Sequence, residues 1–155
     1  MRKRRKPIGI SMVERAIIAQ RWQKDAIDAH IHAFTGENSD KLVDLSGRMF
    51  YVALGAAVAA GLDPESSDIR IIRGAVNAVY DQAGQEEIQG GRRASILSGL
   101  QACARVAEKV SAKDLTDAAC DMELRLRAGH VMYSDFEKVI AAHESIESTA
   151  APVNA

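Results

Sequence analysis

The sequence has few cysteines, prolines and aromatic residues. Its 155 residues include two Cys, three Pro and 5% aromatic residues, whereas 47% are hydrophobic. The two isolated thiols, Cys103 and Cys120, argue against a disulfide framework and against a metal-binding pair. With this composition, most of the chain is expected to fold rather than to remain disordered.

The sequence also lacks an uncharged run as long as a transmembrane helix. The longest uncharged stretch, residues 49–62, has 14 residues, whereas a membrane span needs roughly 20. The basic start is not followed by the apolar stretch of a signal peptide, because Glu14 and Arg15 interrupt it. We therefore expect a cytoplasmic protein without a membrane partner.

Sequence motifs of catalysis are absent as well. There is no phosphate loop, no Gly-rich strand-to-helix turn and no nucleophile elbow. His30 and His32 are two residues apart, so on a helix they diverge by about 200° and cannot share a metal ion. His143 lies on an apolar helical face, which is typical of a hydrogen-bonded core histidine. The sequence predicts a protein that is not an enzyme and that uses no cofactor and no metal.

Helix signals, in contrast, occur along the whole chain. A capping box at Ser11 and Glu14 starts a first helix, and Gly36 ends it. Its large apolar residues repeat at helical spacing and are predicted to face the core, with Trp22 beside them. These residues are Val13, Ile17, Ile27, Ile31 and Phe34.

The second helix is predicted to follow a cap at Ser39 and to run to Gly61, where Leu62 suits the hydrophobic contact of a Schellman motif. Because it has a long uncharged stretch and many small residues, it is expected at the centre of the bundle. The remaining helices follow from caps and stop signals. They are predicted to run from Asp63 to Gly84, from Arg92 to Val110, from Ser111 to Gly129, and from Ser134 onwards.

Short connections between these helices favour antiparallel packing of consecutive helices. The sequence therefore predicts an all-α, single-domain bundle of five or six antiparallel helices with a basic N-terminal arm. Residues 1–10 are predicted to form the flexible arm, residues 11–147 the bundle and residues 148–155 a frayed tail. Apolar residues left over near residues 107–126 favour a homodimer.

Five of the first six residues are cations. Without residues 1–6, the chain has 15 Lys and Arg against 21 Asp and Glu, so an acidic body carries an arm of charge +5. Such an arm is suited to contact phosphates and release counterions from nucleic acid, or it is only a solvated tail. The predicted nucleic-acid-binding residues are Arg2, Lys3, Arg4, Arg5 and Lys6.

A second group of polar residues lies on the third predicted helix. Two arginines and an asparagine there are three and four residues apart, and two more arginines follow the next loop. Guanidinium groups bind carboxylates or phosphates at two points, which suits a partner. The alternative is a solvated face on which Asp68 and Asp81 pair locally. The candidate partner-binding residues are Arg70, Arg73, Asn77, Arg92 and Arg93.

The stretch "SSDIRIIRGAVNAVYDQAGQ" and the following "RRASILSGLQACARVAE" resemble a group of small helical proteobacterial and phage proteins. These proteins also tend to begin with a run like "MRKRRKP", and some are labelled Fis-type transcriptional regulators. The resemblance covers residues 65–110 best and implies no catalytic residue and no cofactor. It is carried by Asp68, Arg70, Arg73, Gly74, Asn77, Ala78, Arg93, Ala94, Ser95, Ile96, Gly99 and Leu100.

Two functional hypotheses remain open. The first is a non-enzymatic regulatory or accessory protein that associates nonspecifically with nucleic acid through its N-terminal arm. A helix-turn-helix placed at Gly61 would put Ser67 and Arg70 in its core, so sequence-specific readout by that unit is not expected. The second hypothesis is a phage- or plasmid-type inhibitor or adaptor that binds a host protein complex through its helical surface.

Overall fold

A computed structural model describes residues 10–129, and these residues form five α-helices and no β-strand. The all-α prediction is therefore confirmed. The predicted arm residues 2–6, the sixth helix and the C-terminal tail lie outside the described residues. The helices are α1 (Met12–Thr35), α2 (Ser39–Ala59), α3 (Ser67–Gln82), α4 (Gly90–Lys109) and α5 (Ala112–Arg127).

Helix ends form where side chains or glycines satisfy the free backbone groups. The Ser11 hydroxyl accepts a hydrogen bond from the Glu14 amide at 3.2 Å, which confirms the first predicted cap. At the end of α2, Gly61 adopts a φ of 68° and the Leu62 amide donates to the Ala57 carbonyl oxygen. This pairing is the predicted Schellman ending.

Three predicted helix starts are shifted in the structure. The cap of α2 is Asn38, which stands one residue before the predicted Ser39. α3 begins at Ser67 instead of next to Asp63, because the Asp63 carboxylate accepts an amide hydrogen bond within a separate turn. α4 begins at Gly90, two residues before its predicted start. These shifts arise because local cap signals compete within a few residues of one another.

α2 is the central helix, as predicted. It packs against each of the other four helices, and its buried residues include Leu42, Phe50 and Leu54. Among the described residues, α2 is also the one helix that is long and apolar enough to cross a membrane. Of the most apolar segment of α2, 67% is buried inside the bundle. The core helix of a bundle can have the same length and composition, so these two properties are weak evidence for a membrane span.

α1 packs against the core with the side opposite to the predicted one. Its buried residues are Ile18, Ala29 and Ala33. The stripe that contains Ile17 and Ile27 was predicted to face the core, and this prediction is wrong because those side chains are exposed. Trp22, predicted beside that stripe, instead packs against the core on the inward side. The small side chains of Ala29 and Ala33 let α1 approach its neighbouring helices closely.

α3 and α4 share the largest interface in the bundle and run antiparallel. They meet at Gly99, where a side chain would not fit. A Cβ atom at Gly99 would overlap with the Ala75 Cβ and would lie 2.8 Å from the ring of Phe50. The close contact of the two backbones therefore depends on this glycine.

Polar side chains hold both ends of this helix pair. At one end, the Asp68 carboxylate accepts hydrogen bonds from Arg105 at 2.7 Å and from Lys109 at 3.1 Å. At the other end, the buried Gln82 amide donates to the Ser39 hydroxyl at 2.9 Å and to the Glu87 carbonyl oxygen at 2.8 Å. Gln82 thus links α3 to the start of α2 and to the loop before α4.

We expect Gly99→Ala to destabilise the fold by about 1–3 kcal/mol, because the added methyl group must displace both Ala75 and Phe50. Gly74 is the matched control, because a Cβ atom there meets nothing within 4 Å. Gly74→Ala should be neutral or should stabilise α3 by about 0.5–1 kcal/mol through helix propensity. Urea unfolding followed by circular dichroism measures both. Equal effects of the two changes would contradict the close packing at Gly99.

Asp68 should make stability depend on pH. The hydrogen bond from Arg105, with a further one from Lys109, holds the pKa of the Asp68 carboxyl below its ordinary value, although burial opposes this shift. Its contribution to the free energy of unfolding is therefore present above the unfolded-state pKa of about 3.9 and is lost as the pH falls through the folded-state pKa.

We expect Asp68→Asn to destabilise the protein by about 1–3 kcal/mol at pH 7 and by less near pH 2, which is below the unfolded-state pKa of the carboxyl. Asp81→Asn, which changes an exposed carboxylate of the same helix, should alter the free energy of unfolding by less than about 0.5 kcal/mol at either pH. Denaturant titrations at several pH values measure the difference. A loss for Asp68→Asn that stays constant between pH 7 and pH 2 would rule out this role for the carboxylate.

Candidate functional site: the outward face of α1

α1 has a second apolar face, which points away from the bundle. Six large hydrophobic side chains lie on it, and their exposed fractions range from 48% for Ile17 to 87% for Met12. Within residues 10–129, all the large exposed hydrophobic side chains belong to this helix. We call this surface the outward face; it consists of Met12, Val13, Ile17, Ile27, Ile31 and Phe34.

The outward face has the spacing of a coiled-coil seam. From Val13 to Phe34, positions four and three residues apart alternate, which is the a and d pattern of a heptad repeat. Two polar residues, Gln20 and Lys24, occupy the middle of this seam, and both are exposed. The outward face therefore consists of two apolar ends with a polar centre.

Ion pairs also join α1 to α5. Arg15 contacts the Asp117 carboxylate at 2.6 Å, and Arg127 contacts the Glu14 carboxylate at 3.2 Å. Hydrogen bonds from Lys113 and Arg15 lower the pKa of the Asp117 carboxyl. These contacts lie along the edge of α1 and leave the outward face uncovered by the described residues.

A groove of about 440 Å³ extends the outward face onto α4. Ile31 and Phe34 form one wall, and Leu97 of α4 forms part of the other. The nearby His30 ring donates to the Ala26 carbonyl oxygen of its own helix at 2.7 Å. An open groove with mainly apolar walls is suited to a side chain of another polypeptide.

The candidate partner-binding arginines do not form one cluster. Arg70, Arg73 and Asn77 follow one another along α3. Arg92 and Arg93 lie in the first turn of α4, which the antiparallel pairing places near Gln89 and the end of α3. Arg73 lies nine residues before Gln82, the last residue of α3, or roughly 13 Å from it along the helix axis.

The arginines at the two ends of this group also have different neighbours. Arg70 lies 3.9 Å from the Glu65 carboxylate in the turn before α3. The Arg93 guanidinium instead reaches Gly36 at the end of α1, where its Nη1 is 2.5 Å from the position that a Cβ atom would occupy. A cation at that place interacts favourably with the C-terminal carbonyl groups of α1. Asp68, which was considered as a local partner for these arginines, binds Arg105 and Lys109 instead.

The two cysteines are buried between helices. The Cys103 thiol contacts the Met49 carbonyl oxygen at 3.9 Å. Burial raises the pKa of Cys103 and of Cys120, which keeps both thiols protonated at neutral pH. Within the described part of the chain, no group of three or more His, Cys, Asp or Glu residues is placed to hold a metal ion.

The outward face was not recognised from the sequence, because its large residues were assigned to the core. The signal that could have revealed it is the second apolar row on the same helix, which contains Ile18, Ala29 and Ala33. A helix with two apolar rows needs two neighbours. The surplus of apolar residues expected near residues 107–126 is instead found on α1.

Comparisons with known proteins identify no family for this chain. Searches against family models, curated proteins and solved structures find no significant match. The resemblance to helical proteobacterial and phage proteins therefore stays a prediction from the sequence. Several residues that carry it, including Gly99, Ile96 and Leu100, lie buried in the α3–α4 interface, which accounts for them by packing.

Proposed function

We propose that this protein is a small non-enzymatic regulatory or accessory protein that acts by binding another polypeptide through the outward face of α1. One observation supports this function above all. The large exposed hydrophobic side chains of residues 10–129 are gathered on one helix rather than scattered. Large exposed apolar side chains that gather in patches, rather than occur singly, mark interaction sites.

The size of the outward face is sufficient for such a role. Six side chains of this type with these exposures present roughly 500–700 Å² of apolar surface. Burying that area contributes on the order of 15 kcal/mol, against which association costs about 4–15 kcal/mol in lost freedom of motion. The balance is compatible with a specific complex.

The pattern of the outward face also indicates the shape of the partner. A seam with heptad spacing accepts the apolar row of a second helix. The side chains of that second helix enter the spaces between the side chains of the seam. A small polar ligand would find few hydrogen-bonding groups along it. We therefore expect the bound segment to be an amphipathic helix.

Photo-crosslinking in cells that express the protein tests the proposed function. A photoreactive phenylalanine analogue is placed at Ile27 on the outward face or at Asn77, an exposed position of α3. We expect a covalent adduct with a polypeptide from position 27 and none from position 77. Circular dichroism should show that both variants keep the fold, since both positions are exposed.

The result at position 77 distinguishes the outward face from the arginine-bearing side of α3, which the sequence suggested as a partner-binding surface. An adduct from position 77 alone would favour the arginine-bearing side of α3 and would contradict the proposed function. The absence of any polypeptide adduct from position 27 would contradict it as well.

Nonspecific association with nucleic acid through Arg2, Lys3, Arg4, Arg5 and Lys6 is a second candidate function. Residues 10–129 carry 14 Lys and Arg against 17 Asp and Glu, so their net charge of −3 does not favour binding to phosphates. The five cations of the arm are therefore the part of the sequence that supports this function. The observation in its favour is their concentration within six residues.

Deletion of residues 2–6 tests the second candidate. Five phosphate contacts on duplex DNA would give a slope of about −4.5 in a plot of log K against log salt concentration. We expect the deletion to reduce that slope to near zero and to abolish binding at 50 mM salt. Fluorescence anisotropy with a labelled duplex measures both. Unchanged affinity and slope without these residues would eliminate the arm as the binding element.

A further inference from the structure

We infer that the outward face of α1 binds the outward face of α1 in a second copy of this chain, and that the two helices run antiparallel. The inference rests on the proposed function, because it names the polypeptide that the outward face binds. It goes further by specifying the partner, the direction and the register of the two helices.

The order of side chains along α1 supports this arrangement. If two antiparallel copies are related by a two-fold axis at the level of Trp22, Val13 lies opposite Ile31 of the second copy and Ile17 lies opposite its Ile27. In the middle, Gln20 lies opposite Lys24 of the second copy. Each a position then faces a d position, which is the layering of an antiparallel coiled coil. Apolar residues meet apolar residues, and the amide oxygen of Gln20 can accept a hydrogen bond from the Lys24 ammonium group.

Other alignments place unlike or repelling residues together. A parallel pair in register puts Lys24 directly opposite Lys24 of the second copy, so two like charges meet in the seam. An antiparallel pair shifted by one heptad puts Lys24 opposite Ile27 and Gln20 opposite Ile31. Both changes bury polar groups against apolar side chains without a partner, which is unfavourable. The register centred on Trp22 avoids these contacts.

The groove next to Ile31 and Phe34 adds complementarity to this register. The antiparallel arrangement brings the first turn of the second copy, with its Met12 and Val13, to the same end of the seam as this groove. Met12 is the most exposed of the large hydrophobic residues, so it is free to enter the groove. The contact occurs twice, because a two-fold interface pairs the same two surfaces in both directions.

The buried area also fits a dimer. Two outward faces together offer roughly 1,000–1,400 Å², which reaches the lower range of specific protein interfaces. Residues 130–155 of the same chain are the alternative occupant. They follow α5, whose last residue, Arg127, contacts Glu14 at the start of α1. The experiments are designed to separate these two occupants.

Sedimentation of the full chain at 1–300 µM measures the assembly. We expect a mass that rises from 16.7 kDa towards twice that value. Ile27→Asp should weaken association at least 100-fold, whereas Asn77→Asp, at an exposed position of α3, should leave it unchanged. The double variant Gln20→Leu, Lys24→Leu should associate at least tenfold more tightly, because it makes the polar centre of the seam apolar.

Disulfide formation tests the direction of the helices. The full chain is prepared as Ile17→Cys and, separately, as Ile27→Cys, while Cys103 and Cys120 stay buried. We expect a covalent dimer when the two variants are mixed under mild oxidation, and little from either variant alone. The reason is that residue 17 lies opposite residue 27 in the antiparallel register, whereas two copies of residue 17 are ten residues out of register, or roughly 15 Å apart.

Each other outcome overturns the inference. A covalent dimer from Ile17→Cys alone would indicate parallel helices. A full chain that stays monomeric at 300 µM and dimerises only after removal of residues 130–155 would assign the outward face to that segment. A photo-adduct of position 27 with a different protein, together with a monomeric full chain, would overturn the inference and leave the proposed function intact. A monomeric chain without any adduct would overturn both.

Discussion

The close approach of α3 and α4 at Gly99 determines where the other helices can pack. Because no side chain separates the two backbones there, the ring of Phe50 fits beside Ala75 and brings α2 onto both helices. Asp68 and Gln82 then hold the two ends of the pair in register. α2 becomes the centre of the bundle, and α1 and α5 cover the sides of α2 that α3 and α4 do not contact.

α1 is held by a different kind of contact from the one that joins α3 to α4. Its inward face buries Ile18 and two alanines. Ion pairs such as Arg15–Asp117 join its edge to α5, and both side chains of that pair are more than a third exposed. Ion pairs of this exposure contribute little to stability and weaken as salt rises. Trp22 also packs against the core, whereas the exposed large apolar side chains of α1 lie on the outward face. A partner on that face would therefore add a second apolar interface to α1.

Local signals in the sequence predicted the helices but not the faces that they bury. Ser11 and Gly61 act within one turn of the chain, so their effects can be derived without knowledge of the fold. The orientation of α1 could not be derived in this way, because two apolar rows repeat at nearly the same spacing and packing favoured the row of Ile18 and the alanines, beside which Trp22 lies. The partners of Asp68 lie 37 and 41 residues further along, and only the register of α3 against α4 brings them together. The separation of Arg73 from Arg92 depends on the same register.

The position of α1 in the chain has a consequence for the order of folding during synthesis. α3 and α4 are neighbours in sequence, so they can pair as soon as α4 has been made, and contacts between such close segments form fast. α1 is made first, but its contacts with α5 join residues 102 and 113 positions apart. Until α5 has been made, α1 can pack only against α2 and α4, and its outward face is left uncovered by the described helices. Among the five described helices, α1 is therefore the one whose apolar side chains are exposed longest to wrong associations during synthesis, and the one on which a chaperone would act.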